Sequence, residues 1–357
     1  DGVALTGFWG STLFHRDDLP FAPEHVPDVF TKFRRKVEKK SKPRPTLPAP
    51  GRLPALESAI DPGEIPSLER LGLVERTVDR RRALAFVGGE TAARERMDSW
   101  IWQRNCLRQY KKTRNGLIGA DYSSKLSPWL SVGAVSARTV AEEIARYEEQ
   151  RTRNESTYWL LFELLWRDYF HFIAVRYGSR LFQLRGPKGP PDATWRRERE
   201  EFEAWCEGRT GIPFVDANMR ELRLTGFMSN RGRQNVASFL TKNLEIDWRW
   251  GASWFESQLV DYDPGSNWGN WAYVAGVGND PRDRFFHIEN QADRYDPEGA
   301  YVRTWVPELA PLAGGAIHTA HRLAEHELVR AGVAGHAYPP PILDMDASYR
   351  KLRRRAA

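Results

Sequence analysis

Residues 225–290 read TGFMSNRGRQNVASFLTKNLEIDWRWGASWFESQLVDYDPGSNWGNWAYVAGVGNDPRDRFFHIEN. Asn230, Arg233 and Gln234 stand at i, i+3 and i+4, so an amide, a guanidinium and a second amide share one helical face. Asp261 and Asp263 follow in a loop just ahead of Asn267, and Trp248, Trp268 and Trp271 are threaded through the stretch. Polar groups this dense are costly inside a plain core. A helix face of donors opposed by two carboxylates suits a polar heterocycle better.

Working upstream, STYWLLFELLWRDYFHFIAVRYG (residues 156–178) is long, aromatic and largely apolar, which predicts a buried helix. TAARERMDSWIWQRNCLRQY (91–110) brings Met97, Trp100, Ile101 and Leu107 near one face. SPWLSVGAVSARTVAEEIARYEEQ (127–150) reads as a capped helix followed by an amphipathic one. After a Gly/Pro break at 186–191, helices are expected through Trp195–Cys206, Val215–Leu224 and Asn230–Leu240. β-Alternation is scarce and no internal repeat is present, so the body, residues 91–345, is mainly α.

The flanks differ in character. Residues 1–20 read as a short buried segment (Val3, Leu5, Phe8) with a polar turn. Residues 21–90 read as a linker, because prolines from Pro20 to Pro66 are too dense to sustain helices. Within it, the basic run from Lys32 to Lys42 reads as a solvated helix face. Residues 346–357 form a basic tail, expected to fray between Arg350 and Arg355.

Composition removes several function classes. The chain has 357 residues, 41% of them hydrophobic, enough for a large core. Lys and Arg number 53 against 47 for Asp and Glu, a net +6 that suits a polyanionic partner without requiring one. Cys106 and Cys206 make neither a disulfide framework nor a four-thiolate cluster, and the eight histidines show no ligand spacing, so no metal is expected. No apolar run reaches the ~18 residues of a membrane span. The opening DGVALTGFWGSTLF has neither an initiator Met nor a signal pattern, as in a fragment. Fourteen tryptophans ask for a reason beyond packing.

Two further constellations carry chemistry. In DYSSKLSPWLS (121–131), Ser123, Ser124, Lys125, Leu126 and Ser127 precede a helix that Pro128 can open. Hydroxyls, amide N–H groups and a helix start make a phosphate seat, although a serine-rich N-cap is the plainer reading. In FELLWRDYF (162–170), Glu163, Trp166 and Arg167 stand at i, i+3 and i+4 on one face. By spacing alone they read as an internal ion pair beside a core tryptophan.

These stretches together resemble the photolyase and cryptochrome family over nearly the whole chain. The resemblance implies an all-helical FAD-binding domain preceded by a long linker and the remnant of an α/β antenna domain. It implies FAD phosphates held by Tyr110 and residues 123–127, and a flavin among Glu163, Arg167, Asn230, Arg233, Asp261, Asp263 and Asn267. Arg233 would pair with Asp261, Asp263 would accept from the ring N3–H, and Asn267 would face N5. Glu163 and Trp166 would contact a damaged base, with Arg231, Gln234 and Tyr273 also on the DNA side. Trp271, Trp248 and Trp195 match an electron-hopping triad, whose plainer reading is aromatic packing.

WGSTLFHRDDLPF (9–21), Gln234, Tyr273 and NWGNWAYVAGVGNDPR (Asn267 to Arg282) resemble the DASH group in particular. Bacterial cyclobutane-dimer photolyases usually have Met and Trp at the positions of Gln234 and Tyr273. (6-4) Photolyases carry histidines where Asn230 and Gln234 stand, which argues against that chemistry. A more polar cavity clamps a flipped dimer less well, so single-stranded DNA is the expected substrate, with weaker use of RNA or duplex. A folate antenna, 5,10-methenyltetrahydrofolate, belongs to the full-length group; nearly all of the domain that helps to bind it is missing from this chain. His287 departs from the Asn usual in the group. The expectation is a monomeric, cytoplasmic deoxyribodipyrimidine photo-lyase, with an organelle left open. A photoreceptor signalling without repair, and a cofactor-free helical nucleic-acid binder, are the competing readings.

Overall fold

The computed structural model describes residues 2–55, 59–61, 63–74, 77–190, 194–280 and 284–356. The end of the 186–191 break and the end of the Asn267–Arg282 string lie outside them. Between Pro27 and Pro43 the sequence is free of proline, and α1 (Phe30–Lys40) forms there. Phe30, Phe33 and Val37, at i, i+3 and i+7, are its buried residues. Proline disrupts only its own neighbourhood, so the expectation that this region would hold no helix is corrected.

α2 (Glu90–Asp98) runs into a π-helical turn, Ser99–Gln103. The short α3 (Tyr110–Thr113) and α4 (Ser127–Ser131) precede α5 (Ala137–Gln150). α6 (Glu155–Tyr177) is the spine, opened by a reciprocal capping box between Asn154 and Thr157. α7 (Arg199–Glu207), α8 (Pro213–Thr225) and α9 (Asn230–Ser238) follow, then α10 (Trp248–Gln258) and α11 (Pro264–Ala275). α12 (Ile288–Tyr295), α13 (Ala300–Trp305), α14 (Glu325–Arg330) and α15 (Met345–Ala356) complete the chain. The described residues contain no strand, only a parallel bridge between Arg196 and Ile246. That bridge holds the backbone extended next to Trp195, so α7 starts at Arg199 and not at Trp195 as expected. None of the described helices is long and apolar enough to cross a membrane.

Both flanks depart from expectation. Val3, Leu5 and Phe8 are exposed, whereas Leu13 and Phe14 are buried. The N–H groups of Leu13 and Phe14 donate to the Asp168 carboxylate at 2.8 and 2.9 Å, which anchors this segment on α6. At the other end the basic tail is helical and docked. Met345, Tyr349 and Leu352 repeat at i, i+4 and i+7 and are buried, while Lys351 and Arg355 pair with Glu245. An apolar stripe with a partner overrides the tendency of a charged terminus to fray.

Two apolar cores result. One gathers Leu13, Phe14, α1, α2, α5 and α6; the other gathers α7 to α13 and α15. They meet where α11 crosses α6. Gly269 allows that approach, since a Cβ there would collide with the Phe170 ring.

Candidate functional site

A cavity of about 650 Å³ opens between the two cores. Its walls come from residues 110–131, α6, α9 and α11, so every candidate residue lines it except Trp195 and Trp248. The periodicities that put these groups on helix faces act locally; the crossing of α6 and α11 brings the faces together.

At one end lies the serine loop. Lys125 adopts φ +54° and is only 3% exposed, and its Nζ has no hydrogen-bond partner. It sits 3.3 Å from the centre of the Tyr122 ring and 4.9 Å from that of Phe227. Burial pushes its ammonium well below the ordinary value, against the nearby Glu221 charge. α4 has five residues, and its cap, Leu126, makes no side-chain hydrogen bond. The plain N-cap reading of the serines therefore fails, and what this part of the cavity offers is the unpartnered Lys125 amine. Arg96 holds the loop in shape by donating to the carbonyls of Ala120, Ser123 and Ser124 at 2.7, 3.1 and 2.9 Å. Tyr110, 6% exposed, lines the cavity next to Arg114 and Glu163.

On the wall formed by α9 to α11, Arg233 donates to both Asp261 oxygens at 3.0 and 2.9 Å. Asp263 caps α11 by accepting from Ser266 N–H, and His171 of α6 lies 2.9 Å from its Oδ2. Burial would raise the Asp263 carboxyl; His171 and the Ser266 N–H outweigh it and hold the group well below the ordinary range. Asn267 spends its amide N–H on the Ala252 carbonyl at 2.9 Å, which leaves its oxygen fixed in direction. Asn230 is exposed at the start of α9 and lines the same wall.

The mouth is aromatic and cationic. Glu163 pairs with Arg114 at 2.6 Å and accepts from the Trp159 indole at 3.0 Å. Arg167 instead donates to the Ser11 and Leu130 carbonyls, so the internal pair suggested by spacing is not formed. Burial pushes Glu163 up, while Arg114 and Trp159 favour its anion. Trp166 stacks on Phe30 at 3.6 Å and meets Tyr273 edge-on at 5.9 Å. Arg231 donates to Gln234 at 2.9 Å and to Asn115 at 3.0 Å.

Trp271 lines the cavity, packed on Phe255 at 5.0 Å and Trp205 at 6.1 Å. Trp248 is fully buried, bonded to the Leu184 carbonyl and edge-on to Trp268 at 5.7 Å. Trp195 packs against the same core with its indole N–H unpartnered. His287 stacks on Tyr349 at 4.0 Å, a packing contact with α15.

Sequence reasoning missed Arg96, Arg114, Trp159 and His171. A cation on the face of α2 that carries Ala93 and Met97 was the available signal for Arg96. His171, two turns beyond Glu163, lay inside a helix already read as buried. Nothing in the sequence marks Arg114, whose partner is distant in the chain.

The residues fit a flavin dinucleotide. An unpartnered buried ammonium and free hydroxyls suit its phosphates, and fixed carboxylates and amides suit a ring that both donates and accepts.

The model of the FAD binding domain of DNA photolyase matches residues 159–357. The Cryptochrome DASH of Gloeobacter violaceus is 56% identical over 345 residues, covering 96% of this chain and 69% of that protein. The crystal structure of a Synechocystis cryptochrome superposes with a TM-score of 0.93 at 51% identity, covering 98% of this chain and 72% of that one. A class III photolyase structure from Agrobacterium tumefaciens gives 0.77 at 31% identity, covering 97% of this chain and 72% of that one. Matches of this identity and coverage, on a cavity built for a flavin, settle the kinship: the chain belongs to the cryptochrome/photolyase family, within its DASH group.

Proposed function

We propose that the protein repairs cyclobutane pyrimidine dimers, mainly in single-stranded DNA, under blue light. Reduced FAD, when bound, supplies the photoexcited electron that opens the cyclobutane ring. Lys125 and the hydroxyls of Ser123, Ser124 and Ser127 would hold the phosphates, and Arg233, Asp261, Asp263 and Asn267 the ring edge. Arg233 and Asn267 place a cation and an oriented amide where negative charge must be tolerated out of water.

Glu163 would hydrogen-bond the pyrimidine carbonyls, and its burial favours holding a proton for that purpose. Arg114 keeps the carboxyl aimed across the mouth until a base arrives. Trp166 and Tyr273 form the wall against which the dimer lies. Trp271, Trp248 and Trp195 would pass an electron inward to restore the reduced cofactor.

The observation that supports this reading is a single cavity lined both by the serine loop with Lys125 and by Glu163, Trp166 and Tyr273. The test is dimer loss in UV-irradiated oligo(dT) under blue light with reduced FAD bound. Dimers that persist would reject repair and leave photoreception, which the names of the cryptochrome relatives favour as the second reading.

A further inference from the structure

α6 lines the cavity with Glu163, Trp166, Arg167 and Phe170. His171, the next residue, is not part of that lining and meets it through Asp263, which is. Its Nε2 lies 3.0 and 2.9 Å from the two Asp263 oxygens, and both side chains are largely buried. The start of α11 packs tightly on α6 here, since a Cβ on Gly265 would stand 3.3 Å from His171 Cδ2.

Facing two oxygens that only accept, Nε2 must carry its hydrogen. Asp263 therefore has three donors: the Ser266 N–H at 2.7 Å, the Ser266 hydroxyl and the His171 ring. A carboxylate offers about four acceptor positions, so one is left for a donor on a ligand. A carboxylate gripped at both oxygens presents that position in one direction, and an acceptor fixed in advance spends less binding free energy on ordering. A bond between crossing helices would serve as a plain staple equally well. This one acts on an acceptor in the cavity wall, from a residue set back behind that wall.

We infer that His171 is a positioning residue for the flavin ring, its Nε2–H holding the Asp263 carboxylate as a fixed anionic acceptor for the ring's N3–H. The inference rests on the flavin reading of the cavity and deepens it with a residue that does not itself touch the ligand. A staple would matter equally to every ligand that needs the folded cavity. A positioning residue matters only to a ligand that brings the ring and its N3–H.

The experiment uses the full chain, stripped of flavin and refilled, with three probes. FAD carries the ring, 3-methyl-FAD carries it without the N3–H, and ADP carries the diphosphate with no ring. His171→Phe should weaken FAD binding about tenfold, as for one hydrogen bond to a charged group. ADP affinity should stay at the wild-type value, which also shows that the variant is folded. The wild-type preference for FAD over 3-methyl-FAD should shrink by the same factor. His171→Gln, whose amide N–H can donate to the same carboxylate, should keep most of the FAD affinity. In an Asp263→Asn background the anion is already gone, so adding His171→Phe should cost less than about twofold more. An equal loss for FAD and ADP, or an unchanged preference against 3-methyl-FAD, would reduce the contact to a staple and overturn the positioning role. Wild-type protein that takes up ADP but no FAD would instead overturn the flavin reading, and this inference with it.

Discussion

Trp271 is 3% exposed and forms part of the cavity wall, so its substitution separates electron supply from cofactor retention. Trp271→Phe keeps most of the ring packing against Phe255 and Trp205 while removing the indole. FAD should remain bound, and photoreduction should slow by an order of magnitude or more. Photoreduction at the wild-type rate in a flash experiment would remove Trp271 from the relay. Asp263 does two jobs, capping α11 and facing His171. Asp263→Ala should cost about 1–2 kcal/mol of stability, a cap plus an ion pair, and should weaken FAD retention. The Asp263 carboxyl is depressed in the folded protein, so its contribution is complete above its ordinary titration range and fades as acid protonates it. The wild-type advantage over Asp263→Ala should therefore shrink below about pH 4. A constant difference from neutral pH into acid would contradict the pairing.

Among the elements, α8 and α13 are joined by a bond that titrates. Glu221 of α8 is 2% exposed and accepts from the Tyr301 hydroxyl at 2.7 Å. Burial pushes this carboxyl up to about 7, against the help of Tyr301, Lys125 and Arg233. A raised acid binds its proton more tightly in the folded state. The resulting stability is complete below the ordinary Glu range and is lost as pH rises through the folded value. Between about pH 4.5 and 7 the protein should lose a few kcal/mol on this account, at ~1.4 kcal/mol per pKa unit. Glu221→Gln should flatten that slope in denaturant unfolding followed across pH; an unaltered slope would place the titration elsewhere. α1 teaches the companion lesson. Its burial of Phe30, Phe33 and Val37 was invisible because the surrounding prolines dominated the reading, although none falls within the helix.

At the scale of the whole molecule, the cavity lies on the seam between two apolar cores, with α6 on one side and α11 on the other. A ligand seated there would tie both cores together and bind only the folded chain. Loading with FAD at about a hundredfold over its dissociation constant should add roughly 2.7 kcal/mol and raise the melting temperature by several degrees. Equal melting with and without FAD would show that the cofactor does not bridge the seam.

Local periodicity settled much of this protein in advance. It set the long apolar helix read over residues 156–178, the shared face of Glu163, Trp166 and Arg167, and the shared face of Asn230, Arg233 and Gln234. Those features depend on neighbours a few residues apart, where helix geometry decides the outcome. Partnership was beyond its reach. Glu163 could have met Arg167 one turn away and instead took Arg114; Asp263 found His171, 92 residues distant in the chain. Arg96 under the serine loop and the docked α15 are of the same kind. Such contacts depend on how apolar faces pack across the molecule, and only the tertiary structure resolves which of several compatible charges comes within bonding distance.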